Sequence, residues 1–202
     1  ARPASIVLAL LLLALALLGE LLAMPLADSA APLVEAFGLA LPLGGGGHAY
    51  EILRRIVPDG FLVGIDIDDD AIAESEARLS SFGDRKVLVR GNFSDIDSIL
   101  SNLGINKVDG IILDLGVSSH QLDTAERGFS FSLGGPLDMR MDTRAAKKAF
   151  DIVNTFSAEA IHKILKDYGE EKMAGRIARA IIAGRGNGPI NTTDELAALV
   201  RN

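Results

Sequence analysis

An α/β fold built on a parallel sheet is predicted by three features of this 202-residue chain. A four-glycine turn, Leu43-Gly44-Gly45-Gly46-Gly47-His48-Ala49, opens a helix; short apolar runs alternate with helical stretches from Gly44 to Asp114; and two of those runs end in a carboxylate, Asp66 and Asp114. Strands alternating with helices need crossover connections, and such connections make neighbouring strands parallel. Glycines without Cβ atoms let backbone amides close on a ligand at a helix start.

The elements follow in order. Ala49 to Val57 carries Ile52, Leu53 and Ile56 on one side, and Pro58-Asp59-Gly60 stops that helix. Phe61-Leu62-Val63-Gly64-Ile65-Asp66 reads as a buried strand whose terminal acid is placed for the hydroxyls of a ribose. Asp68-Asp69-Asp70 can cap a helix from Ala71 to Leu79, and Lys86-Val87-Leu88-Val89-Arg90 is the next strand. It leads to Asn92 and Phe93, which stand either to meet an adenine, one by hydrogen bond and one by stacking, or as an ordinary turn with a core phenylalanine. Asp95 to Leu103 is helical, and Gly104 ends it. Gly110-Ile111-Ile112-Leu113-Asp114 has the apolar run of a strand covered on both faces, with Asp114 at its tip in a position suited to catalysis.

The glycine turn does not by itself name its ligand. Gly44-x-Gly46-x-x-Ala49, with Asp66 about 20 residues on, satisfies the dinucleotide fingerprint. A nicotinamide cofactor, S-adenosylmethionine and a plain glycine turn all remain compatible with that spacing.

Composition narrows the field differently. No Cys is present and only His48, His120 and His162 are available as imidazoles, so neither a disulfide framework nor a thiolate metal site can be built, and no metal is expected. The net charge of −7 argues against indiscriminate nucleic-acid binding. From Arg140 to Asn202, however, 11 Lys/Arg stand against 8 Asp/Glu, while the remainder carries 9 against 19. An acidic front and a mildly basic back suit a small-molecule core followed by a surface that touches phosphates, or ordinary solvated helix faces.

The two ends read differently from the middle. Ile6 to Leu18 is thirteen apolar residues, with Arg2 in front and Ala27-Asp28-Ser29-Ala30 behind. A signal or anchor, a buried core segment, or a stretch foreign to the downstream domain all fit; the unbroken run falls short of the ~20 residues of a membrane span, and membrane contact follows only from the anchor reading. Beyond Asp123, Thr124 to Asp142 is a long loop carrying Arg127, Asp138, Arg140 and Asp142. Ser157 can cap a helix to Tyr168, and another runs from Glu170 to Ala183 with Lys172, Arg176 and Arg179 as a basic stripe opposite Ile177 and Ile181. Thr192-x-x-Glu195 is a capping box for a last helix. The expected organisation is an apolar segment 1–43, a cofactor-binding core 44–121 and a helical region 122–202.

Several of these stretches occur together in one order. Gly44-Gly45-Gly46-Gly47-His48, Asp114-Leu115-Gly116-Val117-Ser118-Ser119, Gln121-Leu122-Asp123, Glu126-Arg127-Gly128-Phe129-Ser130-Phe131, Gly135 to Asp142, Tyr168-Gly169-Glu170-Glu171 and Arg176 to Ile181 closely resemble the RsmH/MraW family. Its members are S-adenosylmethionine-dependent methyltransferases acting on the N4 of a cytidine in small-subunit ribosomal RNA. The resemblance implies a Rossmann-like class I methyltransferase sheet, incomplete at its C-terminal end here, with an inserted helical RNA-recognition domain, and a cytoplasmic location. It implies further that Gly46, Gly47 and His48 contact the methionine part of the cofactor, Asp66 the ribose, Phe93 the adenine side, and Asp114 and Gln121 the region beside the sulfonium and target base. Asp114 becomes the candidate catalytic carboxylate. Arg127, Arg140, Lys172, Arg176 and Arg179 become candidates for RNA phosphate, and Phe129 or Phe131 for stacking on a base. The family's glycines follow a strand ending Asp-x-Thr, where this chain has Ala40 and Pro42. An NAD-dependent oxidoreductase, and an incomplete inactive chain that keeps the motifs, are the competing expectations.

Overall fold

The computed structural model describes residues 37–56 and 60–201. The apolar run Ile6–Leu18, with its leader and anchor readings, and the Pro58-Asp59 helix stop lie outside them. The chain divides after Ser118 into two compact units.

The first unit is a Rossmann-like α/β sheet. Four parallel strands, β1 (Phe37–Leu41), β2 (Phe61–Asp66), β3 (Lys86–Arg90) and β4 (Gly110–Leu113), lie in the order β3-β2-β1-β4. Helices α1 (Gly47–Arg55), α2 (Asp69–Arg78) and α3 (Ile96–Asn102) fill the connections. β1 falls inside the apolar segment 1–43, for which a signal or anchor, a buried core segment and a foreign stretch all fit, so the sheet starts before residue 44. Phe37-Gly38-Leu39-Ala40-Leu41 is a short apolar run continuous with apolar sequence, and periodicity cannot mark off a strand there.

β2 shows why the middle of the sheet is stable. Leu62 packs with Leu43, Ala49, Leu53 and Leu79, whereas Val63 and Ile65 pack with Phe61, Val87, Val89, Phe93 and Ile99. Alternate side chains therefore enter apolar layers on both faces. Each fully buried aliphatic side chain contributes ~1.5–3 kcal/mol. Gly64 allows close approach: a Cβ there would overlap the methyl ends of Leu43 and Leu88, which would have to shift.

β4 departs from the expectation of a covered strand. Ile111, Ile112 and Leu113 are 51, 42 and 54% exposed. The strand pairs with β1 alone, and no other described strand continues the sheet beyond it. Its apolar run has the composition of a central strand, and among the described residues it stands at the edge of the sheet.

The second unit is helical, with α4 (Ser119–Asp123), α5 (Ala149–Thr155), α6 (Ala158–Asp167), α7 (Ala174–Arg185) and α8 (Thr193–Arg201). Ile161 and Leu165 of α6, Ile177 and Ile181 of α7, and Leu196 of α8 are buried, as their helical spacing requires. Ser157 caps α6 by accepting from the Ala160 amide. Thr192 and Glu195 form the capping box, Oγ1 accepting from the Glu195 amide and Oε2 from the Thr192 amide. α7 begins four residues later than Glu170. Glu170 has a positive φ of 48° and Glu171 accepts from the Met173 amide, so the chain turns there and Lys172 lies ahead of the helix.

Candidate functional site

The site begins with strand register. Ala40 pairs with Gly64 and Leu41 with Leu113, so Asp66 and Asp114 stand level with Pro42, one residue past β1. They flank the exit of β1 from either side, about 10 Å apart across two strand spacings. The glycine turn follows at once. The Gly46 amide donates to the Leu43 carbonyl at 2.9 Å, and Gly46, at φ 74°, is the N-cap of α1. A side chain at Gly46 would be strained by that backbone and would meet Ser75 of α2 at 3.0–3.2 Å. Gly47 and His48 are the first two residues of α1, and no side chain caps this terminus.

Asp66 is built into the turn. Its Oδ2 accepts from the amides of Leu43 (2.9 Å) and Gly44 (3.2 Å), and its Oδ1 from the Asp68 amide (2.9 Å). Only 6% of the residue is exposed. Burial raises the carboxyl above its ordinary range; the Asp68 and Gly44 amides oppose this, the Asp68 carboxylate adds to it, and the net shift is upward. The stabilising contribution of such a group is complete below the ordinary Asp range and is lost as pH rises through the raised value.

Asp114 contrasts with it. Its Oδ2 lies 3.2 Å from Nδ1 of His48, and the two side chains are 64 and 68% exposed. Both acids are thus tied to one turn-and-helix segment, one through backbone amides and the other through His48.

Beneath the turn sits a feature the sequence did not reveal. Ser75 is wholly buried, and its Oγ has no hydrogen-bond partner. A buried unpaired hydroxyl costs ~1–3 kcal/mol. Ser75→Ala keeps the small contact under Gly46 and is expected to raise thermal stability by ~1 kcal/mol in a calorimetric melt; an unchanged or lower midpoint would show that the hydroxyl has a partner.

The remaining candidates divide. Phe93 is half-buried and packs on the Val63–Ile65 layer, while Asn92 Oδ1 accepts from the Ser94 amide and caps a 3-10 turn. Gln121, in the second unit, is buried on α4. Two of the arginines expected to meet RNA are instead held inside the 124–148 loop. Arg127 is 8% exposed and donates to the carbonyls of Arg140 and Met141. Arg140 grips both oxygens of Asp138 and donates to the carbonyls of Thr143 and Ala145. A guanidinium with five donors suits a loop whose carbonyls lie outside helix and strand ladders, and here four of them accept from Arg127 or Arg140. Phe129 is likewise buried, with the Arg127 guanidinium 5.9 Å above its ring. Lys172, Arg176 and Arg179 are exposed. Among the described residues no group of three or more potential metal ligands occurs, and no helix is long and apolar enough to cross a membrane.

The MraW methylase family model matches residues 29–202. The chain is 57% identical over 158 residues to a protein of Syntrophus aciditrophicus named ribosomal RNA small subunit methyltransferase H, covering 78% of this chain and 50% of that one. It is 55% identical over 160 residues to the like-named protein of Syntrophotalea carbinolica, covering 79 and 51%. It is 54% identical over 160 residues to ribosomal RNA small subunit methyltransferase H 2 of Agathobacter rectalis, again covering 79 and 51%. The chain spans about half the length of these relatives.

Proposed function

The chain belongs to the MraW methylase family, and from that premise we propose that it binds S-adenosylmethionine at the glycine turn and serves N4-methylation of a cytidine in small-subunit ribosomal RNA, in the cytoplasm. The observation that carries this reading is the pair of strand-tip acids, Asp66 and Asp114, tied to one glycine turn. S-adenosylmethionine, when bound, supplies an electrophilic methyl group on a sulfonium sulfur.

The residues present fit that donor. The backbone at Gly46 and Gly47, bare of side chains, can approach its methionine part, with His48 beside it. An ionised carboxylate has about four acceptor sites, and Asp66 uses three on amides; one is left for a ribose hydroxyl rather than the two-hydroxyl grip expected from sequence. Phe93 borders the adenine side.

The nucleophile needs help because the lone pair of cytosine N4 is delocalised into its ring. A carboxylate that accepts a hydrogen bond from the exocyclic amine localises that pair and takes up its proton. Asp114 is exposed enough to meet a base that has left its stack, a displacement costing a few kcal/mol. In the second unit Lys172, Arg176 and Arg179 supply the phosphate contacts. Arg127 and Arg140 serve that surface indirectly, by holding the loop.

Titration calorimetry of this chain with S-adenosylmethionine and with NAD, followed by transfer of labelled methyl to undermethylated small ribosomal subunits, tests the reading. Binding of S-adenosylmethionine alone and label on a cytidine are expected. Binding of NAD instead, or label on another base, would overturn it.

A further inference from the structure

The contact between His48 and Asp114 points to a destination for a proton. Resting on the methylation reading above, we propose that His48 is the final acceptor of the proton displaced from the target amine, receiving it through Asp114.

The chemistry requires such an acceptor. As the new C–N bond forms, the carbon–sulfur bond of the donor breaks and its electron pair stays on sulfur. The nitrogen, now carrying the methyl carbon, must lose one hydrogen as a proton to remain a neutral amine. Asp114 can receive that proton on Oδ1, since Oδ2 faces His48 Nδ1 at 3.2 Å; a half-turn of the carboxyl about Cβ–Cγ then presents the protonated oxygen to Nδ1, which accepts it with the ring's own hydrogen on Nε2. Left there, the proton would neutralise the carboxylate needed for the next turnover. Passed to the imidazole, it leaves an imidazolium beside a carboxylate, an ion pair that strengthens as substrate covers the site and excludes water.

The neighbouring charged groups are otherwise engaged. Glu51 of α1 pairs with Arg54 and Arg55 on the same helix, and Glu74 of α2 with Arg78. Asp66 at the end of β2 faces three backbone amides. His48 is the one described imidazole of this unit. The same geometry places one Asp114 oxygen beside the ring and directs the other away from it.

Three measurements on the whole chain test the proposal. In the chain without donor or RNA, nitrogen-15 spectra of labelled histidines are expected to show the His48 ring signals moving on Asp114→Asn while those of His120 and His162 stay. Unmoved His48 signals would overturn the contact on which the path depends. His48→Gln preserves a hydrogen-bonding side chain but removes the base; it is expected to lower the rate at saturating donor ~10- to 100-fold with S-adenosylmethionine affinity changed less than about threefold. Affinity falling in step with rate would make His48 a cofactor contact only, and an unchanged rate would remove the role. Added imidazole is expected to restore part of the activity of His48→Ala, and His48→Gln to cost nothing further in an Asp114→Asn background. Additive losses or failed rescue would refute the relay. Wild-type chain without any methyl transfer would instead overturn the function on which the relay rests, and is distinguished by appearing before any substitution is made.

Discussion

Asp114→Asn is expected to slow methyl transfer by ~10²- to 10⁴-fold, the range over which a positioned general base acts, while S-adenosylmethionine binding changes by less than about tenfold. The asymmetry follows from geometry. Asp66 is almost fully buried and holds the shape of the glycine turn through three amides. Among the described residues Asp114 accepts from no backbone amide, and its carboxylate lies against His48. Its replacement by an isosteric amide therefore leaves the turn closed but offers the amine no proton acceptor. Single-turnover rates at saturating donor, set beside calorimetric affinities, separate the effects. Equal losses in both would return Asp114 to the cofactor-binding side of the site.

Much of this site was legible because its signals are local. β2 and β3 run from Phe61 to Asp66 and from Lys86 to Arg90, as their apolar runs and flanking turns predict. α2 starts two residues early because Asp68, first of three acids, is the one whose side chain accepts from the helix, at the Asp70 amide. The His48–Asp114 contact had no local signal. It joins residues 66 positions apart and arises from the β1–β4 register, while β1 itself is hidden in continuous apolar sequence. β4 shows a second limit: among the described residues its apolar run has a strand partner on one side only, which composition does not report. The arginines show a third. Arg140 stands two residues from Asp138 and is claimed by it. A count of positive charge treats that guanidinium and the exposed one of Arg179 as equivalent.

The loop makes the second large prediction. Asp138→Ala is expected to destabilise the second unit by ~3 kcal/mol, the lower end of the cost of stranding one partner of a buried pair. Asp138 and Arg140 side chains are 15–17% exposed, with Arg140 Nε at 2.7 Å and Nη2 at 2.8 Å from the carboxylate, and Lys148 Nζ at 3.3 Å. The backbone on both sides depends on this node. The Asp138 carbonyl accepts from the Ala149 amide at the start of α5, Met139 at φ 58° donates to the Arg127 carbonyl, and Arg140 reaches two further carbonyls. Burial alone would raise the Asp138 carboxyl, but the hydrogen bonds and charge of Arg140, with Lys148 beyond, outweigh it and hold it below its ordinary value. A lowered value in the folded state gives stability that is present above the ordinary Asp range and lost as pH falls through the folded value. Thermal melts of wild type should therefore weaken toward acid pH, and this part of the acid dependence should vanish in Asp138→Ala, whose midpoint at neutral pH falls by roughly 15 °C. A midpoint within a few degrees of wild type would mean that the apolar contacts of Leu137 and Met139, both 1% exposed, hold the loop unaided.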